Sequence, residues 1–106
     1  KNVRVDEFWV RGHIPGRPLL PGVLMIESSA QLASILSRLM GISPGDKFIG
    51  FSGIDKVKFR GTVVPNDKLI VIIKCTDLNN RRAIFETQGV ANGKLVFEGT
   101  ITGMMI

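Results

Sequence analysis

Apolar positions along this chain follow a helical period early and a strand period later. Val23, Leu24, Ile26, Ala30, Ala33, Leu36 and Met40 recur at helical spacing, joined by Met25, Leu32, Ile35 and Leu39. The spacing predicts a helix from Pro21 or Gly22 to Met40, ended by Gly41; proline near the first turn and glycine just past the last are its ordinary punctuation. The apolar residues occupy more than one face, and only Glu27 and Arg38 carry charge. Such a helix is expected to be mostly enclosed by protein.

Beyond Ser43-Pro44-Gly45-Asp46 the pattern becomes strand-like, with strands expected at about 47–52, 56–64, 68–75, 82–90 and 94–104. Pro65-Asn66-Asp67 and Asp77-Leu78-Asn79-Asn80 have turn chemistry, and Asn92-Gly93 between Ala91 and Lys94 is a strong hairpin signal. Residues 2–9 alternate weakly and read as a short strand. Residues 12–22 hold so many glycines and prolines that no regular element fits, leaving a shaped, fairly rigid loop. One long helix with meandering strands describes an α+β domain, an antiparallel sheet wrapped around a central helix.

Composition narrows the classes. At 106 residues, 44% hydrophobic and 22% charged, residues 1–106 read as a single globular domain, which excludes disordered and repeat classes. The net charge of +5 favours anionic partners, but the cations are spread along the chain with no run longer than Arg81-Arg82, so no nucleic-acid partner is expected. One cysteine and one histidine argue against a disulfide framework and a structural zinc site, so no metal is expected and a reducing, cytoplasmic location fits. The most apolar stretch, 19–36, is broken by Pro21, Glu27, Gln31 and three serines, so no membrane span is expected. The chain opens directly on Lys1-Asn2-Val3-Arg4-Val5 and reads as a piece of a longer polypeptide lacking its N-terminal segment.

Three positions carry candidate chemistry. Glu27 lies on the second turn of the apolar helix, where burial would favour a proton-loaded carboxyl; the plainer reading is a polar strip with Gln31 and Ser34. His13, in the Gly/Pro loop, has the side chain suited to proton transfer near neutral pH, or is a turn histidine bonded to a backbone carbonyl. Gly22 and Val23 open the helix, and their free N–H groups suit negative charge on an oxygen, although Pro-Gly is also an ordinary helix start.

The string Arg11-Gly12-His13-Ile14-Pro15-Gly16-Arg17-Pro18-Leu19-Leu20-Pro21-Gly22-Val23-Leu24-Met25-Ile26-Glu27-Ser28-Ser29-Ala30-Gln31 closely resembles the signature of the β-hydroxyacyl-acyl-carrier-protein dehydratases. A second block, Gly53-Ile54-Asp55-Lys56-Val57-Lys58-Phe59-Arg60 with Val63-Val64-Pro65-Asn66-Asp67-Lys68-Leu69, resembles the same family's next strand and turn. The resemblance implies the hot-dog fold and reversible dehydration of a 3-hydroxyacyl thioester on acyl carrier protein, without a cofactor. His13 would then take the α-proton, Glu27 would protonate the departing hydroxyl, and Gly22 would hold the thioester oxygen. It also implies a homodimer, in many relatives a trimer of dimers, with His13 of one subunit beside Glu27 of the other. Glutamate rather than aspartate at position 27 matches the branch that dehydrates without isomerising.

The sequence differs from the family pattern in places. Ile14 replaces an aromatic, Asn66 replaces the glycine of a Pro-Gly-Asp turn, and there is no tyrosine. Strand alternation puts Lys56, Lys58 and Arg60 on one face, either a rim for an acidic carrier protein or a plain solvated face, with Val57 and Phe59 on the other. A hot-dog acyl thioesterase and a non-catalytic acyl-carrier-binding module are the alternatives on the same fold.

Overall fold

The computed structural model describes residues 1–11, 19–41, 49–79 and 81–105. Helix α1 spans Gly22–Leu39, and four strands follow: β1 (Ile49–Phe59), β2 (Leu69–Leu78), β3 (Arg82–Ala91) and β4 (Lys94–Met105). The strands form one antiparallel sheet in the order β1-β4-β3-β2. The expected α+β architecture is present.

Turn chemistry sets the register where the sequence indicated. Asn92 and Gly93 both take positive φ, 54° and 72°, which a two-residue hairpin of matching twist requires, and Ala91 pairs with Lys94 across it. Asn66, at φ 78°, occupies the left-handed position of the turn in which the Asp67 N–H donates to the Val64 carbonyl. Gly41, at φ 73°, ends the helix, its N–H donating to the Arg38 carbonyl.

Three expectations change. Residues 2–9 form turns with one isolated bridge, Asn2 to Lys68. The Glu7 carboxylate accepts the Arg4 N–H at 2.7 Å and the Glu7 carbonyl accepts the Val10 N–H, so local bonds outcompete the strand. The strands expected at 47–52 and 56–64 instead run together as β1, which absorbs the interruption through irregularities at Phe51/Gly53 and Asp55/Lys58. Lys56 takes the left-handed φ of 54° there, with the Asp55 carboxylate accepting its N–H.

The third change concerns the enclosure of α1, which is partial. Met25, Ser29, Ala33 and Ser37, one every four residues, are its buried residues. Opposite them, Val23, Ile35 and Leu39 stay exposed. Four strands cover one side of the helix, and among the described residues nothing covers the second apolar face.

Strand alternation forms the core. Inward residues of β3 and β4, among them Phe85, Thr87, Phe97 and Ile101, are buried, and Val96 joins them where the ladder is irregular opposite Gly89 and Val90. One cluster gathers Val3, Trp9, Leu20, Met25, Val63, Leu69 and Phe97 under the first half of α1; a smaller one joins Ala33, Ala83 and Phe85. Trp9 is therefore a packing residue, and Cys75 lies against the second cluster.

Candidate active site

The start of α1 is held by the chain on either side of it. The Leu20 N–H donates to the Val63 carbonyl at 2.7 Å, tying the residue before the N-cap to the segment after β1. Pro21 takes the N-cap position with no side-chain cap, and its carbonyl accepts the Leu24 N–H. The N–H groups of Gly22 and Val23 therefore belong to the first turn, where no helical carbonyl precedes them. Val23 is 69% exposed, so this end of the helix faces outward.

Gly22 has a neighbour that the sequence did not indicate. A Cβ built on it would stand 2.7 Å from Cε1 and Cζ of Phe59. The Phe59 ring stacks on buried Phe97, with centroids 5.6 Å apart, yet remains half exposed. An aromatic wall thus stands beside the helix opening. Only the pairing of Phe59 with Phe97 across β1 and β4 brings it there, and no local spacing signals that.

Glu27 lies one turn further along, exposed, with its Oε1 accepting the Gln31 amide at 3.0 Å. The expected burial of this carboxylate is not supplied among the described residues. Glu27, Gln31 and Ser34 form the exposed strip that was the plainer reading. Beside it, Ala30, Ala33, Ser34, Phe51, Phe85 and Ile101 line an apolar crevice of about 50 Å³ between α1 and the sheet. The structure thus puts Val23 and Glu27 on the open side of the helix, with Gly22 at its first turn turned toward Phe59; His13 lies outside the described residues.

On the far face of the sheet, Lys56 stands with Lys74, Glu86 and Glu98. Arg60 donates to Glu98 at 3.1 Å. That hydrogen bond, opposed by a little desolvation and helped by the charges of Arg60 and Lys58, holds the Glu98 carboxyl below its ordinary range. The basic alternation is real, but Arg60 is committed to a partner. Among the described residues, no three His, Cys, Asp or Glu side chains gather as metal ligands, and no helix is long and apolar enough to cross a membrane.

One helix laid across an antiparallel sheet, with its glycine-opened end beside an aromatic wall, defines a hot-dog domain. Residues 1–100 match the FabA-like domain, and the chain belongs to that family. It is 40% identical over 102 residues to the 3-hydroxyacyl-[acyl-carrier-protein] dehydratase FabZ of Streptococcus sanguinis, covering 96% of this chain and 72% of the relative. The FabZ of Streptococcus suis is 39% identical over the same shares. Among solved structures, the fluoroacetyl-CoA thioesterase FlK superposes with a TM-score of 0.75 at 12% identity, over 84% of this chain and 64% of that one. A hypothetical protein from Aquifex aeolicus superposes with a TM-score of 0.73 at 8% identity, over 100% of this chain and 95% of its own. These structural likenesses speak for the fold alone.

Proposed function

We propose that this chain is a 3-hydroxyacyl-[acyl-carrier-protein] dehydratase that reversibly converts a 3-hydroxyacyl thioester to its trans-2-enoyl product in fatty-acid biosynthesis. The observation that carries the reading is the 40% identity to a curated dehydratase across 96% of the chain, a stretch that includes His13, Gly22 and Glu27.

His13 removes the α-proton, and the electron pair moves toward the thioester carbonyl, whose oxygen gains negative charge. The N–H groups of Gly22 and Val23 hold that oxygen, placing fixed donors where charge develops. Glu27 then delivers a proton to the β-hydroxyl, the C–O bond breaks, water leaves and the double bond closes. Each positioned proton-transfer group contributes about 10²–10⁴ in rate.

The working unit in this reading is a homodimer formed at the β1 edge. Phe51 and Phe59 on β1, with Val23 and Ile35 on the open helix face, are each more than half exposed. A second copy covering them would desolvate Glu27 and bring the partner's His13 loop to it. Acyl carrier protein is the substrate-bearing partner, and the surplus of cations suits an acidic carrier.

Conversion of a 3-hydroxyacyl carrier-protein thioester by the parent chain, His13→Ala and Glu27→Gln, each verified as folded, tests the reading. Turnover by the parent with losses of orders of magnitude in both variants is expected. A folded parent silent across chain lengths would overturn it.

A further inference from the structure

Past Met25, the buried face of helix α1 turns small side chains to the sheet. Ser29 meets Thr87, which pairs with Gly99, and Ala33 clusters with Ala83, which pairs with Gly103. Small residues let the two layers approach closely, but they offer few ridges to resist a helix turning about its axis. Met25, Leu24, Ile26 and Leu36 pack on either side of this stretch, and a directional contact within it would add to their resistance.

One is present. Ser29 Oγ and Thr87 Oγ1 lie 2.7 Å apart, with both residues almost wholly buried. Among the described residues this is the one side-chain hydrogen bond between α1 and the sheet. The neighbouring serines behave otherwise: Ser28 Oγ donates to the Leu24 carbonyl at 2.9 Å and Ser37 Oγ to the Ala33 carbonyl at 2.7 Å, both within the helix. Ser29 has the same helical option and instead bonds across the layers.

We propose that the Ser29–Thr87 hydroxyl pair is a positioning device that sets the rotation of α1, and through it the place of Glu27 in the reaction. This rests on the function proposed above. Glu27 lies two residues before Ser29, about 200° around the axis, so a bond locking one side of the helix fixes the other. A turn of about 10° carries a side-chain atom about 6 Å from the axis through about 1 Å. A misplacement of that size at a reacting group costs up to about 100-fold in rate. Neither hydroxyl touches substrate; both act through the helix.

Thr87→Val keeps the shape and removes the hydroxyl, whereas Thr87→Ser keeps the hydroxyl and removes the methyl. Each is compared with the parent at a temperature where all are folded, by kcat and KM for the thioester and by amide hydrogen exchange along α1. Thr87→Val is expected to lower kcat about ten-fold with KM within about two-fold, and to speed exchange around residues 26–33. Thr87→Ser is expected to restore both. The double variant Ser29→Ala with Thr87→Val removes both hydroxyls; it is expected to regain stability over Thr87→Val while kcat stays low. A folded Thr87→Val with parental kcat and parental exchange overturns the proposal, as does a Thr87→Ser that loses as much as Thr87→Val. If the parent itself is silent toward the thioester, the proposed function fails, and hydrogen exchange alone decides whether the pair locks the helix.

Discussion

The Phe59 ring occupies the space that a side chain on Gly22 would need, with two ring carbons 2.7 Å from the position of the missing Cβ. Glycine here therefore answers to packing as well as to chemistry. The ring is held by its stack on Phe97 yet half exposed, so it can move only by giving up that stack.

Gly22→Ala should accordingly destabilise the fold by about 1–2 kcal/mol through overpacking. Phe59→Leu should cost a similar amount by losing the stack and apolar contact. The double variant should be less destabilised than the two losses combined, since the smaller side chain admits the new methyl. Chemical denaturation of the three variants checks this; simple additivity would show that Phe59 does not obstruct position 22.

Asn66 tests the turn before β2. At φ 78° an alanine would be strained, so Asn66→Ala should cost about 1–2 kcal/mol, while Asn66→Gly should lie within about 0.5 kcal/mol of the parent. Thermal melts separate the two. Equal losses in both variants would assign the role of Asn66 to its side chain instead.

Glu7 gives a pH dependence. Burial works against its ionisation, but the hydrogen bond from Lys1 Nζ at 2.9 Å, the Arg4 N–H and the Lys1 charge outweigh it, and its carboxyl is held below the ordinary value of 4.5. A folded-state value depressed below the unfolded one means that the contribution is present above about pH 4.5 and fades as pH falls through the folded value. Stability should therefore decline on acidification below that point, and Glu7→Gln should decline less steeply. Urea titrations from pH 7 to pH 3 measure the difference; parallel curves would remove Glu7 from the account.

The proposed dimer makes Phe51 a point of joint failure. Phe51→Asp places a charge on the open β1 edge, where the side chain is 56% exposed, so the isolated fold should tolerate it within about 1 kcal/mol. Sedimentation should show monomer where the parent is dimeric, and dehydratase activity should fall at least about 100-fold with it. A fully active monomer would place the whole site within one chain.

Much of this was legible in the residues because the signals were local. The apolar period of 23–40 and the Gly41 stop located α1; Asn92-Gly93 and Asn66 set their turns through the φ values that those residues tolerate. Glu27 and Gly22 stood out by residue type and spacing, and the run from Arg11 to Gln31 carried the family. Residues 2–9 misled because Glu7 competes for the backbone through hydrogen bonds that alternation does not register. Which face of α1 would be covered, that Phe59 would abut Gly22, and that Ser29 would find Thr87 fifty-eight residues away depended on strand register and layer contact. Those relationships arise only when distant segments pack, so tertiary structure alone decided them.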